Sequence, residues 1–202
     1  MDLNSPVRKD DVPIEYLPYR LQTHKAMARL GDGGKYWNRH RLRTEQYVHS
    51  AVDDIWLRFH EWRDGLTLEE FNEPHESVWY PIAKEIPELK ALALAVWANA
   101  MKIYSCELQL GGVLITRIPS YGKVEAHYDQ GWHASHYNIK HALQLMGCEG
   151  QRFCFEGFSL SAHPGEAYEF DNSRLHWVEN QSPIERITMI VCMRVPDAKP
   201  IC

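Results

Sequence analysis

The chain has 202 residues, a formal net charge of −5, 45% hydrophobic residues and 24% charged residues. These values are close to those of an average globular domain, which excludes a disordered or fibrous protein, and the length fits one domain with its own core. No run approaches the roughly 18 apolar residues of a membrane span, and the first residues lack the apolar core of a signal peptide. We therefore expect a single cytoplasmic domain without membrane attachment.

Cysteine usage gives no sign of a cross-linked or zinc-bound scaffold. The number of cysteines is odd and no two are spaced as C-x-x-C, which argues against a disulfide framework and a zinc ribbon. We expect reduced, mostly buried thiols. The five residues are Cys106, Cys148, Cys154, Cys192 and Cys202.

The N-terminal half predicts turns followed by helices. Three prolines and the run GDGG at residues 31–34 favour extended or turning chain up to about residue 43. GDGG lacks the Lys-Ser/Thr that completes a phosphate-binding P-loop. After Thr44, a candidate N-cap, apolar residues recur every three or four positions up to Gly65 and predict an amphipathic helix. Its apolar positions are Val48, Val52, Ile55, Phe59 and Trp62.

A second helix is predicted to begin at Pro87, because proline is favourable at the first helical position. Apolar residues then fall on or near one stripe of the helix, as expected for packing against a core. The stripe consists of Leu89, Leu92, Val96 and Met101.

From Glu107 onward the sequence predicts short β-strands. Runs rich in β-branched and aromatic residues are separated by turn signals such as PSYG, GCEG, AHPG and NQSP. The candidate strands are, in order, GVLITRI, KVEAHYD, YNIKHALQL, QRFCFEG, EAYEFD, LHWVEN and ERITMIVCMRV. Seven or eight strands at this spacing favour a sandwich or barrel over residues 107–196. The helices of residues 1–106 would pack on one face of it, giving one α+β domain.

The stretch KVEAHYDQGWHASH holds a dense group of potential metal ligands. Side chains alternate along a regular strand, so Glu125, His127 and Asp129 are predicted to share one face. An imidazole and a carboxylate at one strand edge, joined by a second imidazole, are typical of the facial triad of non-haem iron(II) sites. For the third ligand we favour His176, at the predicted start of a strand, over His163, which lies in a proline-containing turn.

A competing interpretation of the same stretch is a zinc cluster. Zinc prefers a compact ligand set that includes cysteine, and no cysteine falls inside this segment. The histidines available to such a cluster are His127, His133, His136 and His141.

The segment GEAYEFDNSRLHWVENQSPIERITMIVCMRV, residues 165–195, carries a more specific signal. It resembles the aspartyl/asparaginyl β-hydroxylase-like group of 2-oxoglutarate-dependent oxygenases, whose members carry a G-E-x-x-x-F-D-[DN]-S-x-x-H-x-V-x-N block before an arginine and a final strand. The matching residues are Gly165, Glu166, Phe170, Asp171, Asn172, Ser173, His176, Val178, Asn180 and Arg186. The resemblance covers roughly residues 108–195. It implies a double-stranded β-helix, a cupin-like jelly roll, with iron(II) and 2-oxoglutarate at its mouth.

The resemblance also implies metal and cosubstrate ligands. The proximal H-x-D of the family maps to His127 and Asp129, and its distal iron ligand maps to His176. Arg186, ten positions later, matches the arginine that grips the far carboxylate of 2-oxoglutarate, a task that suits its planar guanidinium. Thr116 occupies the place of a hydroxyl residue that assists this arginine.

One part of the family's cosubstrate site is incomplete in this sequence. An R-x-H pair on the next strand contacts the near carboxylate, and it maps to Ile139 and His141. The histidine is kept and the arginine is not. Lys140 and Asn138 are neighbouring substitutes, but regular alternation would point them to the opposite face.

The implied reaction hydroxylates an unactivated C–H bond while 2-oxoglutarate and dioxygen become succinate and carbon dioxide. We expect the substrate to be an amino acid or a peptidyl Asp, Asn or Pro residue and not a nucleic acid, because the chain has no broad basic surface. Candidate substrate contacts are Glu125, Trp132 and His133.

Two other classes of function stay open. A cupin-type metalloprotein, an isomerase or small-molecule binding module, would share the jelly roll, and His176-x-x-x-Asn180 resembles the end of a cupin motif. It would not need Arg186. A non-catalytic interaction domain using the locally basic residues 35–43 would not need the three candidate metal ligands.

Overall fold

The computed structural model describes residues 11–45 and 47–196, which fold into a helical layer and two antiparallel sheets. The helices are α1 (His24–Leu30), α2 (Leu68–Phe71), α3 (Ile82–Glu85), α4 (Pro87–Tyr104) and α5 (Trp132–His136). The strands are β1 (Ile14–Arg20), β2 (Asp53–Phe59), β3 (Val78–Trp79), β4 (Gln109–Ile118), β5 (Lys123–His127), β6 (Ile139–Met146), β7 (Gln151–Phe155), β8 (Phe158–Leu160), β9 (Glu166–Phe170), β10 (His176–Asn180) and β11 (Arg186–Arg194).

The two sheets form the double-stranded β-helix expected from the sequence. The larger sheet has the order β1-β9-β6-β11-β4-β2-β3, and the smaller has the order β5-β10-β7-β8. Apolar side chains between them form one core; examples are Ile118, Tyr168 and Phe170 from the larger sheet and Phe153 and Val178 from the smaller. This core closes one end of the space in which the candidate site lies.

A second core lies between the larger sheet and the helices. Leu89, Ala93 and Val96 of α4 are fully buried in it, together with Met189 and Val191 of β11. Strand residues therefore alternate between two apolar environments, one under the helices and one between the sheets. A residue's place in this alternation decides whether its side chain can reach the candidate site.

The helix predicted from Pro87 is confirmed as α4, and each of the seven predicted strands is present. Pro87 occupies the start of α4, and Ser105, in the left-handed conformation, caps its C-terminal end after Tyr104. The N-terminal half adds three strands that the sequence did not predict, β1, β2 and β3. They extend the larger sheet on both sides, so this half contributes to the sheet as well as to the helical layer.

The helix predicted between Thr44 and Gly65 is wrong. A short 3-10 turn at Tyr47–His49 is followed by β2, which pairs antiparallel with β4 and places Ile55 opposite Ile115. Because β2 is buried on both faces, its apolar residues do not alternate with polar ones, and their spacing coincides with a helical period.

None of the helices within residues 11–45 and 47–196 combines the length and the hydrophobicity of a membrane-spanning segment. The four described cysteines are free: Cys154 and Cys192 are buried, Cys148 is partly buried and Cys106 is exposed. Cys202 lies outside the described residues.

Candidate metal centre and its cavity

Two neighbouring strands of the smaller sheet bring the predicted metal ligands together. His127 at the end of β5 lies directly opposite His176 at the start of β10, with ring centroids 4.4 Å apart. Asp129 follows β5, and its backbone N–H donates to the carbonyl of Asn172 at 3.2 Å, which fixes the turn. The Oδ1 atom of Asp129 lies 3.5 Å from Nε2 of His127 and 3.8 Å from Nε2 of His176.

The two imidazoles are oriented by the backbone. Nδ1 of His127 donates to the carbonyl of Glu125 at 2.7 Å, and Nδ1 of His176 donates to the carbonyl of Arg174 at 2.8 Å. Because a carbonyl only accepts, each Nδ1 carries a hydrogen, so that in the neutral form of either ring the Nε2 lone pair points toward Asp129. The three ligand atoms lie within 4.8 Å of one another, the only such group within residues 11–45 and 47–196. This donor set fits an iron(II) ion.

The electrostatics of His176 and Asp129 also favour metal binding. Burial lowers the pKa of His176, which keeps its imidazole neutral. Burial by itself would raise the pKa of Asp129, but the interactions with His127 and His176 bring it well below its usual range. A neutral imidazole and an ionised carboxylate are the forms that bind a divalent cation.

A cavity of about 680 Å³ opens between the sheets and contains the three residues. Arg186, at the start of β11, lines it and is only 4% exposed. Its guanidinium donates to the hydroxyl of Tyr168 at 2.8 Å, and among the described residues no carboxylate lies within ion-pair distance of it. A buried cation without a counter-charge is costly, so this position fits an anionic ligand.

Two threonines add hydroxyl groups to the cavity wall. Thr116 of β4 and Thr188 of β11 are cross-strand partners, and both are buried. The Thr188 hydroxyl donates to the side chain of Gln144 at 3.2 Å, whereas the buried hydroxyl of Thr116 faces the carboxyl of Asp54, its cross-strand partner on β2. The predicted position of Thr116 on the cavity side is thus observed, with its hydroxyl next to the buried carboxyl of Asp54.

The placement of His141 contradicts the role predicted for it. On β6 it points away from the cavity into the core under α4, where its Nε2 lies 3.2 Å from the carboxylate of Glu169. Glu169 also accepts a hydrogen bond from Tyr104 at 3.0 Å. The alternation of β6 instead turns Lys140 into the cavity. The alignment on the histidine therefore assigned the wrong face of the strand, and Ile139 also lies on the outer face.

Glu125 does not share the face of His127, in contrast to the prediction. Val178 of β10 pairs with Val124 and His176 pairs with His127, so three steps on β5 oppose two on β10. This bulge reverses the alternation, and Val124 lines the cavity with His127. Glu125 turns outward and forms an ion pair with Lys123 at 2.9 Å.

The two residues after the H-x-D motif that were predicted to contact substrate lie in α5. Trp132 packs in an aromatic group on the surface, stacked on His136 with ring centroids 4.3 Å apart, and does not line the cavity. His133 does line the cavity, and its Nε2 accepts from the backbone N–H of Gly112 at 2.9 Å. His133 and His136 are thus placed apart from the triad, and a zinc cluster in this segment is not formed.

Arg43 and His49 also line the cavity, and the sequence did not identify them as site residues. The guanidinium of Arg43 donates to buried Asp54 at 2.6 Å and to Nδ1 of His49 at 3.1 Å. The His49 ring lies edge-on to His127 at 4.8 Å. Burial, together with the charge of Arg43, lowers the pKa of His49 to about 2. The basic character of residues 35–43 was the only sequence signal for this corner of the site.

Comparison with known proteins gives similarity at the level of the fold. No family model matches the chain, and no curated protein sequence matches it. An oxidoreductase of the 2OG-Fe(II) oxygenase family from Burkholderia pseudomallei is 14% identical, with 91% of this chain and 86% of that chain covered and a TM-score of 0.62. At this identity the similarity shows a shared fold.

Two further structures combine the same fold with bound molecules. HygX from Streptomyces hygroscopicus, with nickel, 2-oxoglutarate and hygromycin B bound, is 10% identical over 91% of this chain and 83% of that chain, with a TM-score of 0.53. A prolyl hydroxylase from Trichoplax adhaerens, in complex with a hypoxia inducible factor oxygen degradation domain peptide fragment, is 9% identical over 91% and 84%, with a TM-score of 0.55.

Proposed function

We propose that the protein is an iron(II)- and 2-oxoglutarate-dependent oxygenase that hydroxylates an unactivated C–H bond of an amino acid or of a peptidyl Asp, Asn or Pro residue. The observation that carries this proposal is a cavity in which two Nε2 atoms and a carboxylate converge while a buried guanidinium lacks a counter-charge. The resemblance to the aspartyl/asparaginyl β-hydroxylase-like group and the fold shared with 2OG-Fe(II) oxygenases support it.

One group of cavity residues would bind the metal ion, and another would bind the cosubstrate. His127, Asp129 and His176 would hold iron(II) and leave part of its coordination sphere open. Arg186 would bind the far carboxylate of 2-oxoglutarate, with Tyr168 holding the guanidinium in place. The bound iron and 2-oxoglutarate would supply the oxidising chemistry, in which the cosubstrate and dioxygen yield succinate, carbon dioxide and a hydroxylated product.

The other walls of the cavity exclude water from the reaction. Phe153 and Val178 of the smaller sheet and Phe170 of the larger lie around His176, whose side chain is almost completely buried. An apolar surrounding strengthens the interaction of Arg186 with a carboxylate and protects reactive species from side reactions. No side chain is required as a general acid or base.

The first prediction tests cosubstrate binding with manganese(II) as a redox-stable substitute for iron(II). We expect 2-oxoglutarate to stabilise the manganese-loaded protein by about 2.7 kcal/mol at a hundredfold excess over its Kd, because it binds only the folded state. Arg186→Met should weaken this binding by about 2–5 kcal/mol, roughly thirtyfold to several thousandfold. Calorimetric titration measures both affinities.

A surface arginine provides the matched control. Arg152 on β7 is exposed and paired with Glu179, so Arg152→Met should leave the Kd of 2-oxoglutarate unchanged. His176→Ala should lose manganese. An Arg186→Met protein with unchanged 2-oxoglutarate affinity would favour a cupin-type metalloprotein that does not use this cosubstrate.

Succinate formation with separate pools of amino acids, peptides and oligonucleotides then tests the substrate class.

A further inference from the structure

Lys140 places a second unmatched positive charge in the cavity. It lies on β6, is only 3% exposed, and lines the cavity opposite Cys192 of β11. Among the described residues no carboxylate lies within ion-pair distance of its ammonium group. The buried thiol of Cys192 is a hydrogen-bond partner of this ammonium group but does not balance its charge. Lysine is rarely buried without a counter-charge, so the position calls for an anion.

Lys140 and Arg186 lie toward opposite ends of the cavity. Along β11, Arg186, Thr188, Ile190 and Cys192 all face inward, and Lys140 is next to the last of these. The six residue-to-residue steps from Arg186 to Cys192 span roughly 20 Å of extended strand. The ammonium group lies at the end near Asp129 and His133, on both of which its charge acts.

The charges of the loaded site show which component could match Lys140. Arg43 is already neutralised by Asp54 at 2.6 Å. In the loaded site, Asp129 and the near carboxylate of 2-oxoglutarate would offset the charge of iron(II), and the far carboxylate would offset the guanidinium of Arg186. One positive charge, that of Lys140, is left over in a largely apolar space, where an excess charge is costly.

This excess remains wherever 2-oxoglutarate places its near carboxylate, since both of its charges are already counted. Resting on the proposed function, we propose that Lys140 binds a carboxylate of the substrate, so that the substrate is a carboxylic acid with a single net negative charge, such as a free acidic amino acid or an acidic side chain. A single ammonium group is a point charge suited to a monoanion. It lacks the planar fork with which an arginine binds two oxygens of a phosphate.

The experiment measures carboxylate binding without turnover. The protein is loaded with manganese(II) and saturated with 2-oxoglutarate, and [1-¹³C]acetate is titrated while the paramagnetic relaxation of its carboxyl carbon is recorded. We expect saturable relaxation in the wild type, with at least tenfold weaker binding in Lys140→Met and retention in Lys140→Arg. Acetamide should show no saturable effect, and inorganic phosphate should bind more weakly than acetate.

Controls separate this inference from the proposed function. Lys123→Met removes an exposed lysine at the start of β5 and should change nothing. Equal acetate binding in wild type and Lys140→Met overturns the inference, as does its absence from the wild type. A loss of 2-oxoglutarate affinity in Lys140→Met would assign Lys140 to the cosubstrate and also overturn it. Failure of the wild type to bind 2-oxoglutarate would instead refute the proposed function.

Discussion

His141 and His176 are both buried, but the partners of their ring nitrogens differ. His176 uses Nδ1 for a backbone carbonyl and keeps Nε2 directed at Asp129. His141 uses Nε2 for the buried carboxylate of Glu169, and its Nδ1 faces the hydroxyl of Tyr19 at 3.5 Å. Only the first arrangement leaves a lone pair for a metal ion, so hydrogen bonding and not burial distinguishes the two roles.

This difference predicts that His141 affects stability and not cosubstrate binding. His141→Ala would remove one partner of a buried pair and leave Glu169 under-satisfied beneath α4. The free energy of unfolding should fall by about 3 kcal/mol, measured by urea denaturation. The Kd of 2-oxoglutarate in the manganese form should stay the same. Exposed His163→Ala serves as the control for both measurements, and a weakened 2-oxoglutarate affinity in His141→Ala would restore the role first predicted for it.

Whether the sequence could predict the orientation of a site residue depended on the residue's match to a motif and on the regularity of its strand. The cavity-facing positions of His176, Arg186 and Thr116 were predicted from their match to the oxygenase motif, which does not depend on knowing how each strand pairs. The orientation of Glu125 could not be predicted, because the β5 bulge depends on pairing with β10 and not on local sequence. The side of β6 on which the Lys140 side chain lies could not be predicted. The loop before β6 does not determine at which residue the alternation of that strand begins.

Two glycines of strand β4 allow the short helix α5 and the residue that follows it to pack closely against this strand. A Cβ atom on Gly111 would lie 2.5 Å from the ring of Tyr137, and one on Gly112 would lie 2.9 Å from the rings of His133 and Phe59. Both distances are too short for carbon contacts. The glycines therefore allow α5 to lie against β4 and hold His133 in the cavity wall.

This close approach predicts that Gly112→Ala is destabilising. The added methyl group would displace His133 or Phe59 from a packed position, and overpacking of this kind costs about 1–3 kcal/mol. Gly34→Ala is a suitable control, because its Cβ would meet only the flexible side chain of Asp32 at 3.4 Å. Urea denaturation of both variants checks the difference. Equal stabilities would show that α5 can move away from β4 without cost.

Elements with one buried face were predictable, whereas elements buried on both faces were not. Helix α4 packs one stripe against the larger sheet and exposes the other side, so its period and its start at Pro87 were evident. Strand β2 has no exposed face, and its assignment depends on pairing with β4, which is more than fifty residues later in the chain. Helix α5 has only five residues and no side-chain cap, so no local signal marked it.

Histidines are distributed through both halves of the fold, and the pKa values of several of them are lowered. Burial is the main cause in each case: it lowers the pKa of His40 to about 4 and contributes most to the low pKa of His49. The pKa values of three more histidines are lowered as well: His75, His133 and His176. In the unfolded chain all of these groups return to a pKa near 6.5.

The sign of the resulting pH dependence follows from proton binding. Below pH 6.5 the unfolded chain binds protons that the folded protein does not, so acid favours unfolding. We predict that the free energy of unfolding of the metal-free protein decreases continuously from pH 7 to pH 5, above the range in which ordinary carboxylates titrate. Urea denaturation at stepped pH in the presence of a chelator measures this slope.

His40→Phe should reduce the slope, because His40 packs against Trp62 and Tyr80 and its buried Nδ1 has no hydrogen-bond partner among the described residues. Exposed His163→Gln should not, and a stability that is constant or rises toward pH 5 would contradict the assignment of neutral, buried imidazoles.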